Sequence, residues 1–172
     1  MPDASGPTDR QKIWALIKDE HIAVLITIGK DGTFDSRPMG CLQKEFDGTL
    51  WFLTFKGTPK LLEIEHDGRA LVSYGRSKHH EFVSLSGRAR VVEERDQVRA
   101  LWNEGLRVWF PNGPDSADVA LLAVDVEEAR AWTKPVSGLA YAFYYVRARL
   151  TGKAPAPEQI VCEQAMRLTP SH

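Results

Sequence analysis

The sequence has few cysteines, almost no net charge and no long hydrophobic run, and each absence excludes a class of protein. Its 172 residues include only Cys41 and Cys162, which form no CxxC pair, so we expect no disulfide framework and a cytoplasmic location. The net charge of −1 removes overall electrostatic attraction to nucleic acid or membrane. The apolar run Ile22 to Ile28 is far shorter than the roughly 20 residues of a membrane-spanning helix. We therefore expect no nucleic-acid and no membrane partner.

Motifs of the common catalytic and nucleotide-binding sites are missing as well. The sequence contains no GxGxxG or GxxxxGK[ST] phosphate loop, no HExxH zinc motif and no GxSxG nucleophile elbow. His79 and His80 are adjacent, so on a strand they would point to opposite faces and would not share a metal ion. The sequence therefore predicts no metal site and identifies no catalytic residue. Any nucleotide-like ligand must be held in another way.

Short apolar runs between turn residues predict a mainly β fold. Asp31-Gly32 and Asp47-Gly48 are hairpin-type turns between runs rich in β-branched and aromatic residues. Three strands joined by these turns, Ile22 to Ile28, Thr33 to Leu42 and Thr49 to Phe55, predict an antiparallel meander. Three more strands are predicted at Ala70 to Tyr74, Glu81 to Val92 and Val119 to Val126, and helices after Thr8, from Pro59 and from Arg95 to Glu104. The pattern predicts a six-stranded antiparallel barrel decorated with short helices.

The C-terminal region differs from the rest of the chain in charge. Residues 130–172 carry six Lys plus Arg and two Asp plus Glu, so this region is net +4 and the remainder is net −5. We therefore divide the chain into a barrel domain, residues 9–133, and a basic, helical tail, residues 134–172. The spacing of apolar residues in the tail predicts a helix, which either docks on the barrel or forms a Tyr-rich dimer contact. An extended linker is predicted after it, from Lys153 to Pro157. Its apolar stripe is Leu139, Phe143, Val146 and Leu150, with Tyr141, Tyr144 and Tyr145 beside it.

A strand-to-helix junction in the middle of the chain has the features of an anion site. Gly57 lets the backbone turn, Thr58 occupies the N-cap position and Pro59 the first helical position. Backbone N–H groups at a helix N-terminus attract anions, and the helix dipole disfavours Lys60 in the first turn unless an anion is present. The hydroxyls of Thr54 and Thr58 with the Lys60 ammonium suit a phosphate monoester. The alternative is an ordinary capped helix with a solvated lysine.

Two further features are candidates for ligand contact. Arg37 precedes Pro38, which removes a backbone donor, so this strand can present a guanidinium and exposed backbone to a ligand. The alternative is an edge strand with a surface arginine. Trp109 and Trp132 lie next to a Pro/Gly loop and the basic tail, and we expect them to line a planar ligand. Cys41 is expected to be a packed thiol rather than a nucleophile.

Several segments, taken in order, carry a family resemblance. They are Arg37-Pro38-Met39, Leu50 to Thr54 followed by Gly57-Thr58-Pro59-Lys60, Glu81 to Arg90 with Gly87, the loop Trp109 to Pro114, and Leu121 to Trp132. From Asp9 to Thr133 the chain resembles the pyridoxamine 5′-phosphate oxidase-like, FMN-binding split-barrel superfamily, and specifically its general stress protein branch. The resemblance implies an antiparallel split β-barrel and a homodimer with flavin sites at the subunit interface.

The resemblance also assigns site residues and a cofactor. It implies FMN, with FAD as the alternative, and NAD(P)H as a small-molecule redox partner. By resemblance, Arg37, Lys60 and Thr58 contact the flavin phosphate, while Pro38, Met39, Leu53 and Thr54 line the isoalloxazine ring and the ribityl chain. The Lys60 and Thr58 assignments agree with the anion site derived from helix-capping chemistry.

Three departures from the family pattern bear on activity. Pro59 stands where the true oxidases carry a second basic residue, Phe82 stands where they carry Gln, and no Arg-Leu-His segment follows Trp132. These differences argue against pyridoxamine phosphate oxidation. We therefore predict an FMN-binding redox protein, a flavin-dependent oxidoreductase of unassigned substrate. The alternatives are a non-catalytic flavin-binding stress or sensor module and a divergent pyridoxamine 5′-phosphate oxidase.

Overall fold

An antiparallel sheet with helices around it makes up the computed structural model, which describes residues 8–76, 80–133, 138–156 and 162–168. The strands are β1 (Ile22–Ile28), β2 (Phe34–Gly40), β3 (Thr49–Phe55), β4 (Arg69–Arg76), β5 (Glu81–Val92), β6 (Val119–Thr133) and β7 (Cys162–Arg167). The helices are α1 (Asp9–Ile17), α2 (Pro59–His66), α3 (Arg95–Leu101) and α4 (Gly138–Thr151), and a 3-10 helix (Glu104–Val108) follows α3. None of the helices within these ranges is long and apolar enough to cross a membrane.

The strand order is β2-β1-β4-β5-β6-β3, and every pairing is antiparallel. β6 is the longest strand and has β5 along one edge. Its other edge pairs first with β3, from Val119 to Asp125, and then with β7, from Glu128 to Thr133. β2 and β3 stand at opposite ends of the order, so the sheet is not a closed barrel.

The mainly β prediction is confirmed, but the predicted strand count and meander are wrong. The described residues contain seven strands rather than six, because β7 adds to β6. β1 and β2 form the predicted hairpin, whereas β3 pairs with β6 instead of continuing from β2. The physical reason is burial. β3 carries buried apolar residues on both faces, and so does the first half of β6. The two strands therefore pair with each other in the part of the sheet that is covered on both faces.

Local sequence chemistry accounts for two of the junctions. Thr8 caps α1 as predicted, since its hydroxyl accepts from the Gln11 amide while the Gln11 side chain accepts from the Thr8 amide. The register of β5 against β6 shifts between Ser86 and Gly87. A Cβ on Gly87 would lie 2.0 Å from the Asp125 carbonyl oxygen, so only glycine allows this approach.

Two groups of buried side chains hold the sheet together. The larger lies between the sheet and the helices α1 and α2, and it includes Ile13, Phe52 and Leu85, all completely buried. The smaller lies on the other side of β3 and β6, beneath α3 and the 3-10 helix, and it includes Leu53 and Val98. Burial of each such side chain contributes roughly 1.5–3 kcal/mol. The two groups together fix β3 and α2, between which the candidate site lies.

The tail contains the predicted helix and an unpredicted strand. α4 includes the whole apolar stripe from Leu139 to Leu150, yet it has no buried residue, so it does not dock on its own barrel. β7 follows, and its Met166 lies in the larger core together with Leu168, which comes directly after the strand. The predicted linker is irregular from Lys153 to residue 156, and Pro157 lies outside the described residues.

Candidate functional site

Five polar side chains from four elements meet beside α2, where it packs on the inner face of the sheet. β1 and β2 pair so that Leu25 lies opposite Arg37, and the Arg37 side chain therefore shares this inner face with buried residues. Helix α2 packs on the same face through Leu61 and Ile64, which are buried. The side chains that meet there are Thr27 of β1, Arg37 of β2, Thr54 of β3, and Lys60 and Glu63 of α2.

Arg37 is held in a closed arrangement with Thr27 and Glu63. Its Nη2 atom donates to Glu63 Oε2 at 2.8 Å, and its Nη1 atom donates to Thr27 Oγ1. The Thr27 hydroxyl in turn donates to Glu63 Oε2 at 2.5 Å. Arg37 also forms an ion pair with Asp35 at 2.9 Å. Only 16% of the Arg37 side chain is exposed, so it is not the surface arginine that the sequence left as an alternative.

Lys60 is a partly buried cation that points back towards β3. Its Nζ atom donates to Thr54 Oγ1 at 2.9 Å, and Thr54 is only 5% exposed. Burial lowers the pKa of Lys60, the neighbouring charge of Arg37 lowers that pKa further, and Glu63 opposes both effects. Lys60 is therefore not the solvated lysine of the alternative interpretation. Two cations share this site, and the charge of Arg37 disfavours the charged form of Lys60.

The turn into α2 has the predicted backbone and the predicted N-cap residue, but the Thr58 side chain does not cap the helix. Gly57 adopts a φ of +72°, in the left-handed region that favours glycine, and Thr58 occupies the N-cap position with Pro59 after it. The Thr58 hydroxyl donates to the Phe55 carbonyl at 3.0 Å and makes no cap hydrogen bond. The ordinary capped helix of the alternative interpretation is therefore not observed. In the first turn of α2, Pro59 has no amide hydrogen and the Leu61 amide donates to the Thr58 carbonyl at 3.0 Å, which leaves the Lys60 backbone amide beside its ammonium.

The other predicted contact residues are dispersed within one chain. Pro38 is exposed on β2, whereas Met39 is buried in the larger core and Leu53 in the smaller core. Trp132 lies on β6 opposite Phe82, four strands from β2 in the sheet order. Trp109 is 72% exposed in the loop after the 3-10 helix. The structure thus brings together Arg37, Thr54 and Lys60, with Thr58 at the start of the same helix.

An open cleft adjoins this site. Its volume is about 570 Å³, and it lies between residues 29–35, which contain the β1–β2 turn, and the first turns of α2. Asp35, Pro59 and Glu63 form the side of the cleft that borders the site. The Arg37 cluster therefore borders the cleft through Glu63 and through Asp35, whose side chain is 58% exposed.

Sequence reasoning missed Thr27 and Glu63. Thr27 is completely buried, and its hydroxyl interrupts the otherwise apolar run of β1. Buried hydroxyls require hydrogen-bond partners, so this position was a detectable signal. Glu63 lies three residues after Lys60, a spacing that places both side chains on one helix face.

In the described ranges, no three His, Cys, Asp or Glu side chains are grouped to hold a metal ion. His80 lies in the turn before β5, and His79 lies outside those ranges.

The residues present fit an anionic group such as a phosphate. Lys60 offers both its ammonium and its backbone amide in the first turn of α2, and Arg37 offers a guanidinium nearby. An anion between two like charges removes their mutual repulsion. Glu63 and Asp35 already form ion pairs with Arg37, so the attraction of Arg37 for a further anion is reduced. Lys60 is thus the cation whose charge is least compensated within the cluster.

Comparison with known proteins identifies relatives of this chain. A family model described as "Pyridoxamine 5′-phosphate oxidase like" matches residues 8–156. No curated protein matches the chain. The match extends beyond the segment Asp9 to Thr133 and takes in α4.

Three solved structures show the same fold. A general stress family protein from Xanthomonas campestris pv. campestris is 28% identical, with a TM-score of 0.65 over 74% of this chain and 88% of that chain. A protein from Clostridium acetobutylicum related to general stress protein 26 of Bacillus subtilis is 18% identical, with a TM-score of 0.65 over 71% of this chain and 86% of that chain. A heme binding protein from Mycobacterium smegmatis is 15% identical, with a TM-score of 0.58 over 74% of this chain and 55% of that chain.

Proposed function

This chain belongs to the pyridoxamine 5′-phosphate oxidase-like family, and we propose that it is a flavin-binding redox protein that holds FMN by its phosphate at the start of α2. The observation that carries the proposal is the partly buried Lys60, which donates to Thr54 beside Arg37. Burying a cation next to another cation costs free energy. A bound phosphate offsets that cost, so the site is suited to an anion.

Each group has its own role toward the phosphate. Lys60 supplies a charge-assisted hydrogen bond from its ammonium, and its backbone amide in the first turn of α2 adds a hydrogen bond aligned with the helix dipole. Arg37 adds positive charge from β2. Thr54 holds the ammonium in place. FAD presents a phosphate at the same position of the ribityl chain, so it is the alternative ligand of this site.

The bound flavin would supply the chemistry of hydride or electron transfer. The chain would bind the phosphate, orient the ring and exclude water from it. We assign no catalytic residue, because Lys60 and Glu63 are both engaged within the phosphate site. The proposed activity is that of a flavin-dependent oxidoreductase with NAD(P)H as electron donor.

We propose that a second copy of the chain completes the flavin site. The isoalloxazine ring needs apolar cover, and one chain leaves large side chains uncovered on β1, β5 and α4: Ile22, Phe82, Leu139, Phe143 and Leu150 are all 47% exposed or more. Exposed apolar patches of this kind are typical of protein interfaces. We propose a homodimer in which Trp109 and Trp132 approach the flavin across the interface.

The visible spectrum of the purified protein tests the proposal. We expect a yellow protein, or a colourless one that takes up FMN on titration with one flavin per chain. A heme-type spectrum would instead assign the chain a ligand like that named for its mycobacterial structural relative. A protein that takes up neither group would refute the proposed function.

The second candidate is a flavin-binding module without turnover, which the engagement of Lys60 and Glu63 favours. Stopped-flow reduction by NADH or NADPH separates the two. An oxidoreductase is reduced rapidly enough to support turnover, whereas a storage or sensor module is not. A divergent pyridoxamine 5′-phosphate oxidase would convert pyridoxamine phosphate with oxygen, and Pro59 and Phe82 argue against it.

A further inference from the structure

Glu63 places a negative charge inside the proposed phosphate site. Its side chain is only 14% exposed, and Oε2 lies 2.8 Å from Arg37 Nη2. Replacing a buried ion pair with apolar residues is often neutral for stability, so fold stability alone does not explain the carboxylate. A negative charge this close to a phosphate weakens phosphate binding. The position therefore calls for an explanation in terms of the site.

Thr27 shows that the carboxylate also fixes geometry. The Thr27 hydroxyl accepts a hydrogen bond from Arg37 Nη1 and donates one to Glu63 Oε2. Because Thr27 is completely buried on β1, it holds both partners in one arrangement. One edge of the guanidinium is thereby directed to Glu63 and Thr27. Any contact of Arg37 with a ligand must use its remaining N–H groups.

The two acidic partners of Arg37 differ in freedom. Asp35 is 58% exposed and can turn into water when a ligand arrives, whereas Glu63 projects from α2 into the site, is only 14% exposed and is fixed by Thr27. With Asp35 displaced, Arg37, Lys60 and Glu63 leave the site with a net charge of +1. A phosphate monoester carries about −1.5 to −2 at neutral pH. The positive charge of the site is thus smaller than the negative charge of a doubly charged phosphate.

We infer that Glu63 is a positioning residue and the internal counter-ion of this site: it orients Arg37 against Thr27 and lowers the affinity for a doubly charged phosphate. The inference rests on the proposed function and extends it. It predicts a flavin that exchanges, rather than one that is held permanently. The charge and the geometry have separate effects, so different substitutions separate them.

Glu63→Gln tests the charge, since the amide oxygen still accepts from Arg37 and Thr27. We expect FMN to bind about tenfold tighter, the effect of removing one partly buried charge a few ångströms from the anion. Riboflavin, which lacks the phosphate, should bind as it does to the wild type. Glu65→Gln is the matched control, because Glu65 is exposed on the same helix, and it should change neither affinity.

Thr27→Val tests the geometry. It keeps the shape of the side chain but removes the hydroxyl between Arg37 and Glu63. We expect weaker FMN binding with riboflavin binding unchanged. A purely structural role for the cluster would instead change the melting temperature of both variants and leave the ratio of FMN to riboflavin affinity at its wild-type value.

The outcomes distinguish this inference from the proposed function. If the wild type prefers FMN to riboflavin but Glu63→Gln does not increase that preference, Glu63 is not the counter-ion and the proposed function stands. If the wild type binds neither flavin, the proposed function fails. The Lys60 pKa, measured by NMR without flavin, then decides the role of Glu63: Glu63→Gln should lower it, and an unchanged value overturns the inference.

Discussion

Lys60→Met removes the cation on which the phosphate site depends while keeping most of the aliphatic stem. In the structure the ammonium donates to Thr54 at 2.9 Å and is partly buried, so solvent screens its charge incompletely. A hydrogen bond to a charged group contributes roughly 1.5–3 kcal/mol. Loss of that contribution raises the Kd for FMN about 10- to 150-fold. Riboflavin has no phosphate, so its affinity should not change.

Fluorescence titration with FMN and riboflavin in parallel measures this effect. Lys44→Met is the matched control, since Lys44 is an exposed lysine outside the site, and it should bind both flavins like the wild type. The melting temperature of each variant shows that it is folded. Equal FMN affinity in Lys60→Met and the wild type would refute the phosphate assignment. An equal loss of FMN and riboflavin affinity would show that Lys60 supports the ring rather than the phosphate.

Three other predictions concern pH, packing and assembly. Because burial lowers the pKa of Lys60 below 10.5, FMN affinity should fall in alkaline solution before an ordinary lysine would lose its proton, and Lys60→Met should abolish this pH dependence in the same titration. Gly87→Ala should lower the free energy of unfolding by about 3 kcal/mol, because its Cβ would meet the Asp125 carbonyl oxygen, while Gly40→Ala, with open space around it, should change little in urea denaturation. Phe143→Arg should shift the proposed dimer toward monomer in light scattering, and an unchanged mass would exclude α4 from the interface.

The alternation of apolar residues and the turn residues predicted most strands of the fold. β1, β3 and β5 have the predicted bounds, because each is a compact run of β-branched, aromatic or alternating residues. The pairing of β3 was not predictable in this way. Asp47-Gly48 indicated a tight hairpin with β2, yet the need to cover both apolar faces of β3 places it beside β6. Burial on two faces depends on the tertiary structure, and a turn motif gives no information about it.

β7, in the basic tail, was not predicted either, because its pairing is also a tertiary effect. The sequence of β7, from Cys162 to Arg167, has no clear alternation, and five of its six residues are exposed. Met166 is the residue that faces the core. An edge strand of this kind gains its stability from pairing with β6, and the local sequence does not show that partner.

The candidate site was predicted in its cations but not in its acidic partners. Helix-start chemistry pointed to Lys60 and Thr54, and the Arg37-Pro38 pair pointed to Arg37, which the family resemblance then assigned to the flavin phosphate. Thr58 occupies the predicted N-cap position, but its hydroxyl donates to the Phe55 carbonyl instead of accepting from a helix amide. Glu63 was missed because a glutamate on a short helix is usually solvated, and only the packing of α2 over β1 and β2 brings it to Arg37.

The phosphorus NMR signal of FMN observes directly whether the phosphate lies at the start of α2. On addition of wild-type protein we expect a shifted or broadened phosphate resonance, which returns to its free position when Lys60→Met replaces the wild type. A phosphate signal that stays at its free position while the flavin ring is bound would show that the ring is held without the site formed by Lys60, Thr54 and Arg37, and the phosphate site would then be wrong.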